Sequence, residues 1–317
     1  MHAAVVTAFD TPPTYREIPT PTPQTPDEIL VDVIAAGLHP RVRSQADGSH
    51  YTSSGDLPLV PGIDGVGRAP DGTLRYFVLP DTTMGAMAEQ TVIDQRRSFA
   101  LAHDTDPILV AAAMNPVMSS WIALRRRIHF EPGQTVLVLG ATGSSGRMAV
   151  EVAKHLGASY VIGAGRDPQR LASLTELGAD ATVRLDDTAA AVRDLAQAAR
   201  DVDVVIDYLW GPLTADAMAA IVVERSDPEK PLTWIEIGSV AGAVAAIPSA
   251  ALRAARLQIV GSGQGSVPTR DILAELPAIA AEIATGAFRI DVRPVPLADV
   301  TAAWNDTGST QRIVITP

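Results

Sequence analysis

Three glycines at three-residue intervals form the segment with the clearest chemical meaning. The sequence G-A-T-G-S-S-G at 140–146 follows an apolar run at 136–139 and precedes apolar residues at helical spacing. In a strand, glycine turn and helix of this order, the backbone can approach a phosphate closely, and the helix start offers it unpaired N–H groups. The turn therefore predicts a dinucleotide site. Its predicted contacts are Gly140, Thr142, Gly143, Ser144 and Ser145.

The end of the next predicted strand indicates which dinucleotide binds. NAD-binding proteins usually carry an acidic residue there for the ribose hydroxyls, whereas this chain has Gly165 followed by Arg166. A guanidinium can pair with the 2′-phosphate of NADP, and Arg170, one helical turn along, can reach the same group. NADP is therefore favoured over NAD. In the other interpretation both arginines are merely solvated and Asp167 serves a ribose.

The middle of the chain alternates short apolar runs with helical segments of about ten residues. Gly157 and Gly178 are placed to end the first two helices, and a third helix is expected over 188–199. This alternation predicts a doubly wound parallel sheet of the Rossmann type. Its six predicted strands are the runs at 136–139, 160–162, 181–183, 202–206, 234–237 and 257–260.

Residues 1–106 have a different pattern, with short β-like segments such as 3–7 and 29–36. Turn signals separate them, among them Asp47-Gly48 and Ser54-Gly55, so this part is predicted to be mostly β. A tail over 272–317 adds two helices and a final strand at 312–316. The predicted fold class is thus α/β. A β-rich domain is expected to comprise residues 1–118 and 265–317, and a nucleotide-binding domain residues 119–264.

Composition excludes several classes of function. With 36 acidic and 25 basic residues among 317, the net charge of −11 has the wrong sign for binding nucleic acid or an anionic membrane surface. The chain has no cysteine, which excludes disulfides, thiolate catalysis and cysteine-containing zinc sites. Proline, glycine or polar residues interrupt the uncharged stretches at 107–124 and 237–252, so both are expected to be buried rather than membrane-spanning. The N-terminus shows no secretory signal, and a cytoplasmic location is expected.

Three motifs in order carry a resemblance to a known family. Residues 35–40 are similar to its A-A-G-V-N-P turn, residues 57–67 to L-P-x-V-P-G-x-x-x-x-G, and residues 131–146 to K-P-G-x-x-V-L-V-x-G-A-x-G-x-x-G. Over nearly its whole length the chain resembles the medium-chain dehydrogenase/reductase superfamily, and within it the zinc-independent quinone oxidoreductases. The resemblance implies a GroES-like catalytic domain beside the Rossmann domain.

The departures from the family pattern concern the metal. Zinc-dependent members carry a cysteine two residues after the glycine of the A-A-G turn and a Gly-His-Glu triplet; this chain has His39 and Gly62-Ile63-Asp64. The side chain of Ile63 cannot bind a metal, and the four-cysteine structural zinc lobe is missing. No metal site is therefore expected, although a site made from His39, Asp64 and a distant third ligand stays conceivable.

The resemblance also implies further site residues. Tyr51 lies in a loop where similar quinone reductases place a tyrosine over the substrate, and His39 takes the former metal position facing the cleft; each can instead be structural. Arg41 and Arg43 are expected to pair with acidic side chains rather than to attract substrate. The remaining coenzyme contacts implied are Asn115, Ser119, Tyr208, Gly238, Ser239 and Arg312, the last at a cofactor phosphate.

These observations predict an NADPH-dependent, metal-independent reductase that transfers hydride to a quinone or an α,β-unsaturated carbonyl. Tyr51 and His39 are the candidate donors to the oxygen on which charge develops. Two alternatives remain open: an NADPH-binding sensor or structural protein with little turnover, and a zinc alcohol dehydrogenase with a degenerate site. In the family the sixth strand pairs with its two-fold mate, so a homodimer through residues 257–260 is expected, with a tetramer as the alternative.

Overall fold

A computed structural model describes residues 1–53, 55–186 and 189–317. The chain divides into two compact units, the first formed by Met1–Asn115 with Leu276–Pro317 and the second by Pro116–Glu275. The sequence predicts the two domain boundaries at 118/119 and 264/265 instead. Ser54, in a predicted turn, and Thr188, the predicted start of the third Rossmann helix, lie outside the described residues.

The strands are β1 His2–Val5, β2 Thr14–Glu17, β3 Glu28–Gly37, β4 Asp64–Arg68, β5 Leu74–Val78, β6 Gln90–Asp94, β7 Ser98–Ala100, β8 Thr135–Leu139, β9 Tyr160–Gly165, β10 Ala181–Arg184, β11 Val204–Asp207, β12 Leu232–Glu236, β13 Leu257–Gly261, β14 Val292–Pro296 and β15 Arg312–Thr316. The helices are α1 Pro40–Ala46, α2 Pro107–Ile122, α3 Ser144–His155, α4 Pro168–Ser173, α5 Ala189–Ala199, α6 Gly211–Glu224, α7 Ala251–Ala254, α8 Thr269–Ala284 and α9 Val300–Asn305.

The first unit is built around strand β3, which pairs antiparallel with β4, β6 and β15. The sheet continues from β4 to β5 and β7, and from β15 to β14. Gly37 lies opposite Val314, so the end of β3 runs beside β15. Ala35 lies opposite Val66, and Val66 opposite Tyr76. This register brings His39, the start of β4 and Tyr76 into one neighbourhood.

The second unit contains a parallel sheet in the order β10-β9-β8-β11-β12-β13, six strands within the described part of the chain. Counted from β8, the spatial order is 3-2-1-4-5-6, which is the order of the dinucleotide-binding Rossmann fold. The order reverses between β8 and β11, where Leu139 lies opposite Asp207. Ligands bind such sheets outside the carboxyl ends of the strands at this reversal. The predicted α/β fold class and the six-stranded parallel sheet are confirmed.

The parallel strands read as continuous apolar runs because both faces of the sheet are covered. Leu137, Ile162 and Val205 are at most 1% exposed and belong to one core cluster with Trp234. Of the predicted apolar positions of helix α3, Met148, Val152 and Ala153 are buried, and Leu156 at its C-terminal end is half-buried. The second predicted helix, over 168–177, is divided into α4 and a 3-10 turn, Thr175–Leu177, which ends at Gly178 with φ +102°.

Among the described residues, one helical segment is long and apolar enough to cross a membrane by length and composition alone. This segment, Pro107–Arg127, combines α2 with the π-helical turn Ala123–Arg127, and 67% of its most apolar window is buried within the structure. Such burial is what the helices of a protein core show. It agrees with the expectation for residues 107–124. Residues 237–252 were also expected to be buried, but apart from Ala251 they are half-buried or exposed.

Candidate functional site

The glycine turn after β8 has the backbone geometry of a phosphate cradle. Gly140 has φ +83°, and the N–H groups of Gly140 and Ala141 both donate to the carbonyl oxygen of Ala164 at 2.9 Å. Helix α3 starts directly after Gly143, and this N-cap residue has no side chain with which to cap the first turn. Its first N–H groups are therefore available to an anion, which the dipole of the helix also favours.

The third glycine of the turn has no room for a side chain. A Cβ at Gly146 would lie 2.1 Å from the carbonyl oxygen of Gly140 and 2.7 Å from the Cα of Ala141. Both neighbours are backbone atoms, so they cannot move aside without opening the turn. Glycine is required here because the turn passes so close to α3. This cradle fits the pyrophosphate of a dinucleotide.

A pocket of about 570 Å³ lies at the end of β9, between the glycine turn and the start of α4. It is lined by Thr142, Arg166, Asp167, Pro168, Gln169 and Arg170. The side chain of Arg166 is exposed, and Nη1 of Arg170 donates to the carbonyl oxygen of Thr142 at 3.4 Å. Two guanidinium groups thus border a cavity next to the phosphate cradle.

Asp167 has a structural role in this pocket. Its Oδ1 accepts from the backbone N–H groups of Gln169 at 2.9 Å and Arg170 at 3.1 Å, which caps the start of α4. Nε of Arg170 lies 3.5 Å from Oδ2 of Asp167. Because one oxygen is committed to the cap, Asp167 is a poor ribose ligand, and the pocket favours a phosphate over a pair of hydroxyls.

Two of the predicted coenzyme contacts meet at the end of β11. The hydroxyl groups of Ser119 and Tyr208 lie 2.8 Å apart, and the Ser119 hydroxyl also donates to the carbonyl oxygen of Pro116. Burial raises the pKa of Tyr208 to about 12, so the phenol stays protonated at neutral pH. Asn115 lies one turn before Ser119 on α2.

The loop after β12 packs against the end of β11. The N–H of Gly238 donates to the carbonyl oxygen of Asp207 at 3.2 Å, and a Cβ at Gly238 would lie 3.2 Å from the carbonyl oxygen of Tyr208. Ser239 lines a second cavity of about 360 Å³ together with Trp210 and Glu236. Ser119, Tyr208, Gly238 and Ser239 therefore lie near the carboxyl ends of β11 and β12, where the sheet topology places a ligand.

Sequence reasoning missed Asp207, which organises this region. The residue is fully buried, and its Oδ1 accepts from the backbone N–H groups of Leu209 and Trp210. Its Oδ2 accepts from the hydroxyl of Thr214 at 2.6 Å and the indole of Trp234 at 2.9 Å. The only signal in the sequence was an acidic residue directly after an apolar run.

Replacing Asp207 with alanine is expected to lower the free energy of unfolding by about 3 kcal/mol, because four donors lose their acceptor in a buried site. Urea unfolding followed by tryptophan fluorescence measures this loss. Asp216→Ala, at an exposed position on α6, is the matched control and is expected to stay within about 0.5 kcal/mol of the wild type. Equal stability of the two variants would contradict the role given to Asp207.

His39 is buried, with 2% of its surface exposed. Its Nε2 lies 3.2 Å from Oδ1 of Asp64, and the hydroxyl of Tyr76 donates to Oδ2 of Asp64 at 2.7 Å. Burial lowers the pKa of His39, against the opposing effect of Asp64. Arg312 lies in this unit as well, and its Nη1 donates to the carbonyl oxygen of Leu38 at 3.4 Å.

Tyr51 lies on an exposed loop, with 70% of its surface accessible, and its ring packs against His50 at 4.2 Å between centroids. The loop is tied down by Thr52, whose hydroxyl donates to Oδ2 of Asp81 at 2.6 Å and accepts from Arg41 at 2.8 Å. Arg41 also forms an ion pair with Asp81. The prediction that Arg41 pairs with an acidic side chain is therefore confirmed.

Among the described residues Arg43 has no acidic partner at ion-pair distance, although an ion pair was expected. Its Nη1 donates to the carbonyl oxygen of Trp304, and its guanidinium lies over the ring of Trp304 at 5.2 Å from the centroid. The charge of Asp306 acts on Arg43 electrostatically, without a contact short enough for an ion pair. A cation–π contact with Trp304 of α9 thus takes the place of the predicted pairing.

Around His39 and Asp64 the described residues form no group of three ligands that zinc could use. Within the described ranges no group of three or more His, Cys, Asp or Glu side chains is arranged to hold a metal ion. Ile63 packs against the hydrophobic core of the first unit, and both oxygens of Asp64 already accept hydrogen bonds. Zinc needs three or four nitrogen, sulfur or oxygen ligands.

Comparisons with known proteins agree with this architecture. A family model described as zinc-binding dehydrogenase matches residues 146–225. A protein of Emericella nidulans described as a probable NADPH-dependent quinone reductase is 32% identical, and the alignment covers 100% of both chains. The quinone oxidoreductase-like protein 2 of Rattus norvegicus is 26% identical over 85% of this chain and 77% of its own.

Solved structures share the fold over the whole chain. The quinone oxidoreductase of Thermus thermophilus, solved also in complex with NADPH, has a TM-score of 0.81 at 23% identity, with 100% of both chains covered. A mycobacterial protein complexed with NADPH has a TM-score of 0.82 at 21% identity, again with 100% of both chains covered. From its sequence match over the full length and its fold, this chain belongs to the quinone oxidoreductase-like proteins of the medium-chain dehydrogenase/reductase superfamily.

Proposed function

We propose that this protein is an NADPH-dependent reductase that transfers a hydride to a quinone or an α,β-unsaturated carbonyl without a metal ion. The observation that carries the coenzyme assignment is the pocket after β9, where Arg166 and Arg170 border a cavity beside the phosphate cradle and Asp167 is committed to a helix cap. The description of the Emericella nidulans relative as a probable NADPH-dependent quinone reductase supports the same assignment.

The acceptor class is supported by a second relative. The NADPH-dependent alkenal/one oxidoreductase of Arabidopsis thaliana is 26% identical over 58% of this chain and 50% of its own. Quinones and enones are electrophilic enough to take a hydride without Lewis-acid assistance. When bound, the nicotinamide of NADPH supplies that hydride from its C4. This chemistry demands orientation of the two reactants and stabilisation of the oxygen that gains charge.

The residues that hold the coenzyme are assigned from their geometry. The N–H groups at the start of α3 would hold the pyrophosphate, and Arg166 and Arg170 the 2′-phosphate. Ser119 and Tyr208, hydrogen-bonded to each other, would present hydroxyl groups at the carboxyl end of β11. Tyr51 on its anchored loop is the proposed donor to the acceptor's oxygen, and the role of Arg312 at a cofactor phosphate stays a prediction.

Metal independence is part of the proposal. It is supported by the apolar side chain of Ile63 and by the absence of cysteine from the sequence. The hydrogen bonds of Asp64 support it further, because one of its oxygens is bonded to His39 and the other accepts from Tyr76. A catalytic zinc site normally has three protein ligands.

We further propose a homodimer formed through β13. Within the part of the chain that the structure describes, β13 pairs with β12 and ends the sheet, so its other edge offers free backbone groups. Such an edge is an aggregation risk unless it is covered. The cytoplasmic location expected from the N-terminal sequence stays a prediction.

The test is oxidation of NADPH, followed at 340 nm, by 9,10-phenanthrenequinone, 1,4-benzoquinone and a simple enone. We expect turnover with at least one acceptor, unchanged after the protein is dialysed against a chelator. Loss of turnover after chelation, restored by zinc, would favour a degenerate zinc dehydrogenase. Tight NADPH binding without turnover on any acceptor would favour a sensor or structural protein.

A further inference from the structure

Three buried polar side chains form a hydrogen-bonded chain in the first unit. Tyr76, Asp64 and His39 are 0%, 3% and 2% exposed. Tyr76 lies on β5 and Asp64 starts the antiparallel neighbour β4, while His39 directly precedes α1. The Tyr76 hydroxyl lies 2.7 Å from one carboxylate oxygen of Asp64, and Nε2 of His39 lies 3.2 Å from the other.

The hydrogen-bonding capacity of each group shows which atoms of these three side chains carry protons. Burial beside Asp64 raises the pKa of Tyr76 well above its usual value. The phenol therefore keeps its proton and donates a hydrogen bond to Asp64. As a carboxylate, Asp64 can only accept. The bond to His39 therefore requires a proton on Nε2, and in the neutral ring Nδ1 then carries a lone pair.

The surroundings keep the ring neutral. Burial lowers the pKa of His39, the charges of Arg312 on β15 and Arg41 on α1 lower it further, and Asp64 alone among these groups raises it. Nδ1 is buried and has no hydrogen-bond partner within the described residues. A buried acceptor without a donor costs free energy, which a ligand can recover by supplying one.

We propose that Asp64 and Tyr76 are positioning residues that hold His39 with its proton on Nε2, so that Nδ1 accepts a hydrogen bond from a hydroxyl group of a ligand. The inference rests on the proposed function in that the ligand belongs to the reductase reaction. His39 then binds and orients a hydroxyl, and it is not the donor that the sequence suggested.

A hydroxyl fits better than a carbonyl or a carboxylate because it can donate to Nδ1. Its oxygen can in turn accept, and the neighbouring Arg312 has two buried N–H groups, at Nε and Nη2, without a partner in the described residues. Arg312 acts electrostatically on both His39 and Asp64, so its charge belongs to this cluster. Two sources of such a hydroxyl exist, a ribose of the coenzyme and the hydroquinone or enol form of the substrate.

The direct test is nitrogen NMR of the protein with 15N-labelled histidine, where His39→Gln assigns the signal. At neutral pH we expect Nε2 of His39 to carry the proton and Nδ1 to be bare. The Nδ1 signal should then shift on addition of either NADPH or hydroquinone, which identifies the source; 1,4-dimethoxybenzene, which has no hydroxyl, should not shift it. A proton on Nδ1 in the free protein would overturn the proposal, as would NADPH oxidation at the normal rate with no shift from either ligand.

Two variants test the positioning residues. In Asp64→Asn the side-chain amide can donate to Nε2, so a fraction of His39 should move its proton to Nδ1, and the ligand that shifts Nδ1 should bind about 10-fold more weakly. Tyr76→Phe leaves the full charge of Asp64 on His39 and should raise the pKa of His39, so binding should weaken at pH 6 more than at pH 8. The matched controls Asp32→Asn and Tyr160→Phe, at solvent-accessible positions, should change neither the tautomer nor the pH dependence.

The outcomes separate this inference from the proposed function. The tautomer is measured in the coenzyme-free protein, so a protein that turns over no acceptor can still confirm it. A protein that reduces quinones with His39 protonated on Nδ1 would overturn the inference and leave the reductase assignment intact. Unchanged tautomer, affinity and pH dependence in both variants would show that Asp64 and Tyr76 do not position His39.

Discussion

Gly146→Ala is expected to weaken NADPH binding by about 100-fold or more, which corresponds to about 2.7 kcal/mol. The added methyl group would lie 2.1 Å from the carbonyl oxygen of Gly140, a distance that no unbonded pair of carbon and oxygen atoms can hold. Either the glycine turn opens or α3 moves away from it. In both cases the N–H groups that would hold the pyrophosphate lose their alignment.

NADPH affinity is measured by quenching of tryptophan fluorescence, with the midpoint of urea unfolding recorded for the same samples. The variant should also lose about 1–3 kcal/mol of stability, because the core cannot absorb the overlap. Gly308→Ala is the matched control, since its nearest atom, Oδ1 of Asp306, would lie 4.0 Å away. A folded Gly146→Ala protein with wild-type affinity would show that the turn does not bind the coenzyme.

Arg166→Ala is expected to weaken NADPH binding by about 10- to 150-fold and to leave NADH binding unchanged. A charge-assisted hydrogen bond to a phosphate contributes about 1.5–3 kcal/mol, which sets this range. The exposed guanidinium of Arg166 borders the pocket after β9 and needs no rearrangement of the core to reach a ligand there. Titration of both coenzymes against the wild type and the variant measures the change.

Arg200→Ala serves as the control for this variant because it removes the same charge from an exposed position of the second unit. It should change neither affinity. If Arg166→Ala lost the same factor for NADPH and NADH, Arg166 would contact a part common to both coenzymes. If neither affinity changed, Arg166 would not hold the 2′-phosphate, and Arg170 or residues outside this pocket would have to hold it.

The Rossmann part of the fold was predictable because its signals are local. A buried parallel strand is an uninterrupted apolar run, as at 136–139, and a helix that follows it ends at a glycine such as Gly157, which has φ +93°. The spatial order of the strands could be predicted only from the dinucleotide-binding motif, since no single strand indicates its place in the sheet. The π-helical turn at Ala123–Arg127 gave no such signal.

The site was predictable only in part, because its remaining contacts are not local. A glycine turn can be recognised in the sequence because its backbone geometry requires glycine. The hydrogen bond between Ser119 and Tyr208, in contrast, joins residues 89 positions apart. The cluster of Tyr76, Asp64 and His39 depends on the register of three elements, and Asp64 looked like a remnant of a metal site. Burial of His39 likewise follows from packing, which spacing does not encode.

The most direct test of the central claim is the ratio of kcat/KM for NADPH to that for NADH with 9,10-phenanthrenequinone, in the chelator-treated wild type and in Arg166→Ala. The account predicts turnover in the absence of metal, a clear preference for NADPH in the wild type, and a preference reduced by about 10-fold or more in the variant. Saturating NADPH binding with no oxidation by this quinone or by an enone would contradict it.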